Sequence, residues 1–181
     1  MGQGSHVRMI AGIDLSMKSV EIVLRQDGSR LATWESVPIN VPAKVEHRDA
    51  ECARDLARRF PTGSFWDDTW LCGIEYPFSM MGPGLGLKTV FGAIVALIPP
   101  RVHVIPLRAT VWQRHFCGRS MPRKGVDRKP LIRARALEMG MPEEWSQDAA
   151  DALGLSWVVE RLNEEGLVPK IGQQADLLAH T

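Results

Sequence analysis

Residues 9–37 read MIAGIDLSMKSVEIVLRQDGSRLATWESV, and how this stretch folds decides the architecture. Residues 9–15 are a short apolar run broken by Asp14, the pattern of a buried strand. Residues 18–25, KSVEIVLR, alternate: Val20, Ile22 and Leu24 face one way, Glu21 and Arg25 the other. QDGS follows, and its Asp27-Gly28 pair is a hairpin signal. Residues 30–37, RLATWESV, are then a third strand. Three strands joined by short turns are most simply an antiparallel meander.

Beyond the meander the period changes. In residues 46–60, EHRDAECARDLARRF, the positions Ala50, Ala53, Leu56, Ala57 and Phe60 recur at helical spacing, and Pro61 to Gly63 ends the helix. Residues 69–75, TWLCGIE, are apolar on both faces and read as an interior strand. A Pro/Gly-rich loop, YPFSMMGPGLG, leads into residues 86–98, a helical stretch whose only charge is Lys88. RVHVIP, residues 101–106, is a fifth strand, and a short helix near 108–115 precedes the basic loop CGRSMPRKGVDRKP. Pro130 is tolerated in a first helical turn, so residues 131–139 are helical. The last helix runs from about Gln147 to Asn163 and ends near Gly166. The order predicts one α/β domain over residues 9–166, its mixed sheet covered by helices on both faces. Residues 1–8 read as a tag remnant or disordered start, and 167–181 as a C-terminal tail.

Composition excludes several classes. At 181 residues, 45% hydrophobic and 24% charged, the chain reads as a soluble globular protein. Its longest apolar region, Phe91 to Pro100, is too short to cross a bilayer, and nothing resembles a secretory signal. Cys52, Cys72 and Cys117 form no CxxC pair, so zinc is not indicated, and free thiols suit a reducing cytoplasm. The net charge of +1 hides an asymmetry. Arg101 to Arg135 carries ten Lys/Arg against one acid, Asp127, a local +9, which leaves 12 basic and 20 acidic residues elsewhere, or −8. Such a segment is either a solvated basic surface or a polyanion contact.

Four acids stand out. Asp14 closes the first strand, in AGIDLS, and Glu75 closes the fourth, in CGIEYP. Asp148 and Asp151 lie three apart in SQDAADALGL, residues 146–155, on one face of a mostly apolar helix. Singly, each has an ordinary explanation: a strand end in a turn with Ser16, a surface acid, a residue favoured by the helix dipole. As a set they point elsewhere. Strand carboxyl edges are where α/β sheets place their sites. If the first and fourth strands are parallel neighbours, Asp14 and Glu75 share one cleft, and the last helix can bring the aspartates over them. Four carboxylates in one cleft repel unless cations sit between them. Oxygen-only ligands suit Mg²⁺ or Mn²⁺, and two such ions about 3.5–4 Å apart can hold both reacting oxygens of a phosphodiester.

GID at the first strand end, GIEYPF at the fourth and QDAADALGL on the last helix resemble the RuvC family of Holliday-junction resolvases, in order over roughly residues 9–163. The resemblance implies an RNase H-like fold and a homodimer that nicks four-way DNA junctions with divalent metal, two Mg²⁺ (or Mn²⁺) per site. It implies metal and catalytic roles for Asp14, Glu75, Asp148 and Asp151. It gives Phe78 the role of an aromatic touching unpaired bases. It matches Lys129, in VDRKPL, to a basic residue near the cleavage site, with Lys124 as a competing match. Arg119, Arg123, Lys124, Arg128 and Lys129 are then DNA contacts, and the setting a bacterial or phage-infected cytoplasm; the helix at 86–98, apolar nearly all round, is the expected dimer interface. No membrane and no small-molecule cofactor is expected. The chain departs from the family in having Leu15-Ser16 where Pro-Gly often follows the first aspartate.

Two other readings stay open. An actin-like ATPase or sugar kinase also starts with an acid after its first strand, but needs two such halves and glycines where this chain has LSMKS. A non-catalytic branched-DNA-binding module keeps the fold without the chemistry. ATP-induced thermal stabilisation identifies the first, and a nicking assay separates the second. Ser16 and Ser79 lack a nearby histidine, there is no GxSxG, His103 and His115 read as structural or phosphate-contacting, and Trp112 reads as core.

Overall fold

The computed structural model describes residues 7–30, 32–77, 83–118 and 127–168. Phe78, Arg119, Arg123 and Lys124 lie outside the described residues, as do residues 1–6 and 169–181 of the two termini. Strands β1 (Met9–Leu15), β2 (Ser19–Gln26) and β3 (Ala32–Pro38) come first, then helix α1 (Arg48–Arg59) and a 3₁₀ turn at Gly63–Trp66. Strand β4 (Thr69–Glu75), helix α2 (Pro83–Leu97), strand β5 (His103–Leu107) and helices α3 (Ala109–Cys117), α4 (Lys129–Glu138) and α5 (Gln147–Glu164) complete the chain.

The sheet order is β3-β2-β1-β4-β5. β1, β2 and β3 pair antiparallel, as the turn at Asp27-Gly28 requires. β4 and β5 join β1 in parallel, each reached through a helical crossover. This is the RNase H-like mixed sheet that the element order predicts.

Alternation along each strand divides the core into two layers. Ile10, Val23, Leu71, Ile105 and Leu107 pack with residues of α3, α4 and α5 such as Trp112, Ile132 and Leu155. Ala11, Ile13, Ile22, Cys72 and Ile74 pack with Cys52, Leu56, Val90 and Ile94 of α1 and α2. α1 carries Asp49 and Glu51 in its first turn and Arg58 and Arg59 in its last, which matches its dipole. The alternation of β2 is met, but its polar side is covered: Glu21 and Arg25 are both buried. Glu21 accepts from Trp34 Nε1 at 2.7 Å and from Ser36 Oγ at 2.9 Å. Arg25 pairs with Glu160 of α5. Among the described residues no helix is long and apolar enough to cross a membrane.

Candidate active site

The sheet register builds one side of the site. β1 and β4 run parallel with Ala11 beside Cys72, Gly12 beside Gly73 and Ile13 beside Ile74. One step further sets Asp14 beside Glu75. Side chains alternate, so Asp14 shares a face with Gly12, and Glu75 shares that face with Gly73. α5 lies directly on this face. A Cβ at Gly12 would sit 1.9 Å from the Ala152 carbonyl oxygen, and one at Gly73 would sit 2.7 Å from that of Leu155. The two glycines therefore let the helix backbone touch the strands, and any larger side chain would force α5 away.

The helix start supplies the other side. Ser146 is the N-cap, its hydroxyl accepting from the Ala149 amide at 3.0 Å. The cap fixes where the helix begins, and so puts Asp148 and Asp151 in its first turns above the strand ends. Carboxylate oxygens of Asp14, Asp148 and Asp151 lie within 4.8 Å of one another. Glu75 stands beside this triad, with its Oε2 accepting from Trp112 Nε1 at 2.7 Å. Gln147 Nε2 donates to Asp151 Oδ1 at 3.0 Å. Lys129, at the start of α4, holds its Nζ 3.7 Å from Asp148 Oδ1, with the lysine exposed and the aspartate half-buried.

This crowding shifts the acids. Burial first, then the charges of Glu75, Asp151 and Asp148, hold Asp14 well above the usual carboxylate range. Burial likewise pushes Asp151 up to about 7, against the opposing pull of Gln147 and Lys129. Glu75 is also raised by burial, while the Trp112 N–H and Lys129 oppose the shift. A donor set made only of carboxylate oxygens, with Asp14, Glu75 and Asp151 disfavoured as bare anions, fits a hard divalent cation.

The remaining candidates are spread over the fold. Arg128 is half-buried and donates to Gln113 Oε1 of α3 at 3.0 Å, so its guanidinium also ties α4 to α3. His103 lies on β5 with Nε2 buried, and His115 is exposed on α3. Trp112 is core, as read from sequence, but it also reaches the site. Trp112 and Gln147 are the two site residues that sequence reasoning missed. The Gln147/Asp151 spacing of i, i+4 is a readable signal. The Trp112 contact joins positions 37 apart, and no local pattern announces it.

No family model and no curated protein matches the sequence. Among solved structures, T. thermophilus RuvC in complex with a Holliday junction substrate matches with TM-score 0.55 and 15% identity, over 88% of this chain and 97% of that one. The chain has the RuvC fold. A second Thermus thermophilus RuvC structure matches over the same shares at 15% identity with TM-score 0.47. The RuvC-like sheet carries its acids at the ends of β1 and β4 and at the start of α5, the three motifs on which the sequence resemblance rests.

Proposed function

We propose that this protein is a divalent-metal-dependent endonuclease that nicks Holliday junctions, and other branched DNA to an extent set by its loops. The observation that carries this reading is the convergence of Asp14, Asp148 and Asp151, with Glu75 beside them, within a RuvC fold. Bound there, one or two Mg²⁺ or Mn²⁺ ions supply Lewis-acid activation of water and neutralise charge developing on the phosphate. The four acids hold that charge in place. Ser146 and the two strand glycines keep the acids in register without induced movement. Lys129, the one described cation beside the cluster, meets a phosphate oxygen of the scissile strand. Arg119, Arg123, Lys124 and Arg128 bind flanking phosphates and fix the strand without reading its sequence. Phe78, two residues beyond Tyr76 at the end of the described β4 region, stacks on an unpaired base at the crossover.

A four-way junction is two-fold symmetric, and paired nicks need two sites, so the working form is a C₂ homodimer. The outer face of α2, with Thr89, Gly92 and Ala96 exposed, is the proposed contact. Light scattering should then give twice the chain mass at micromolar concentration.

The test is incubation with a labelled four-way junction, a flap and a plain duplex, with and without Mg²⁺. Paired nicks in the junction, only with Mg²⁺, are expected. Binding without cleavage under all divalent-metal conditions would favour the non-catalytic module, and cleavage in EDTA would remove the metal mechanism.

A further inference from the structure

We infer that Trp112 is a positioning residue for Glu75: its indole N–H fixes the rotation of that carboxylate, and α5 holds the indole in place. The inference rests on the nuclease reading and deepens it.

The Trp112 side chain is fully buried. Its only polar atom is a donor, which must find an acceptor away from water. Many backbone carbonyls would serve, yet the N–H meets Glu75 Oε2 at 2.7 Å. A hydrogen bond to a carboxylate is charge-assisted and roughly twice as strong as a neutral one. It commits one oxygen of Glu75 and sets the plane of the group, so the carboxylate does not search rotamers when a cation arrives.

The ring itself has little freedom. A Cβ at Gly154 would come 2.9 Å from Trp112 Cζ3 and 3.2 Å from Phe116 Cδ1, so the missing side chain of Gly154 is the notch in which the two rings lie. The Trp112 and Phe116 centroids are 6.4 Å apart in a tilted pair. Gly154 follows Asp151 by three residues on the same helix. α5 therefore carries two of the acids and also the notch that seats the holder of Glu75. The strand-borne and helix-borne acids are set by one element.

Three variants test this: Trp112→Phe, which keeps a ring and loses the donor; 3-benzothienylalanine at position 112, which keeps the shape of the indole and replaces N–H by sulfur; and Phe116→Leu as a packing control. Mn²⁺ affinity is measured calorimetrically on the full chain without DNA, alongside the melting temperature and the Mg²⁺ concentration giving half-maximal nicking. Both donor-less variants should bind Mn²⁺ about tenfold or more weakly, the range for outer partners of metal ligands. They should also need correspondingly more Mg²⁺ for nicking. Phe116→Leu should melt lower with Mn²⁺ affinity unchanged. If Trp112→Phe fails to fold, the benzothienyl isostere still decides. Wild-type Mn²⁺ affinity in the isostere, together with loss of affinity in Glu75→Gln, overturns the inference and leaves the nuclease reading standing. A wild type that binds no Mn²⁺ overturns both.

Discussion

At the C-terminal half of α5, Glu160 meets a cation. Arg25 reaches it from β2, the Gly28 amide donates to its Oε1 at 2.8 Å, and Arg25 Nη1 also holds the Ser29 carbonyl at 2.8 Å. At the N-terminus of the same helix, Asp148 and Asp151 meet more acids, and among the described residues the exposed Lys129 is the cation beside them. Both ends take a carboxylate out of water, Glu160 at one and Asp151 at the other, while Asp148 stays part-exposed. One end neutralises its charge within the chain, and under the proposed function the other is neutralised by bound cations. A fold selected only for stability would pair both ends, since an unpaired buried charge is among the costliest features a protein can carry. The contrast separates the part of α5 that fastens the β2–β3 hairpin from the part that carries the acid cluster.

The largest effect should come from the unpaired end. Asp148→Asn or Glu75→Gln should abolish junction nicking while leaving junction binding largely intact, because the proposed function gives metal binding to the acids and DNA affinity to the basic segment. Gel-shift and cleavage assays on one preparation check both halves. Full-rate cleavage in either variant would show that the cluster is not catalytic.

The paired end should respond in the opposite way. Glu160→Gln leaves Arg25, 3% exposed, without its counter-charge. Removing one partner of a buried pair costs about 3–5 kcal/mol, and each kcal/mol is worth about 2–4 °C in a chain of this size. Nicking per folded molecule should not change. A variant that melts with the wild type would mean that the contrast between the two ends is not energetic.

pH sharpens the comparison. Asp151 keeps its proton up to about pH 7 in the fold, against 3.8 for an unperturbed aspartate. The folded state binds more protons across that window, so this group's contribution to stability falls as pH rises from about 4 to about 7. In EDTA, Asp151→Asn should gain on wild type in melting temperature as pH rises from 5 to 8. Metal binding must displace the same proton, so Mn²⁺ affinity should rise with pH over the upper part of that range. A difference that does not change with pH would place Asp151 in ordinary solvent.

The smallest effect concerns the basic segment that would bring DNA to the unpaired end. Affinity should fall with salt at a log–log slope of about −0.9 per phosphate contact. Arg123→Ala with Lys124→Ala should flatten that slope by up to about 1 per contacting residue, and Lys129→Ala should lower the nicking rate more than binding. An unchanged slope in the double variant would turn the loop away from DNA.

Much of the unpaired end was legible in the sequence because its signals are local. β1 and β4 match their predicted spans because each is a short apolar run closed by an acid. The start of α5 was marked by Ser146 and an i, i+3 acid pair. The paired end was legible only in part: the alternation in β2 fixed which residues share a face, but not that α5 covers the polar face. That cover depends on Gly12 and Gly73, whose role is a contact across some 80 to 140 positions and leaves no periodic trace. The 3₁₀ turn at Gly63–Trp66 was missed for a related reason, since it is held by Trp66 Nε1 on the Pro61 carbonyl at 2.7 Å and not by propensity.

The central claim is that the acid cluster is unstable by itself and completed by cations. Melting wild type and Asp14→Asn side by side, in EDTA and in saturating Mn²⁺, tests it most directly. In EDTA the variant should be the more stable, by roughly 1 kcal/mol or about 2–4 °C, because an amide replaces a buried carboxyl whose charged form is disfavoured by burial and by the neighbouring acids. In Mn²⁺ the order should reverse, because wild type gains about 2.7 kcal/mol at a hundredfold excess over the dissociation constant and the variant gains little. The same order in both buffers would contradict the account.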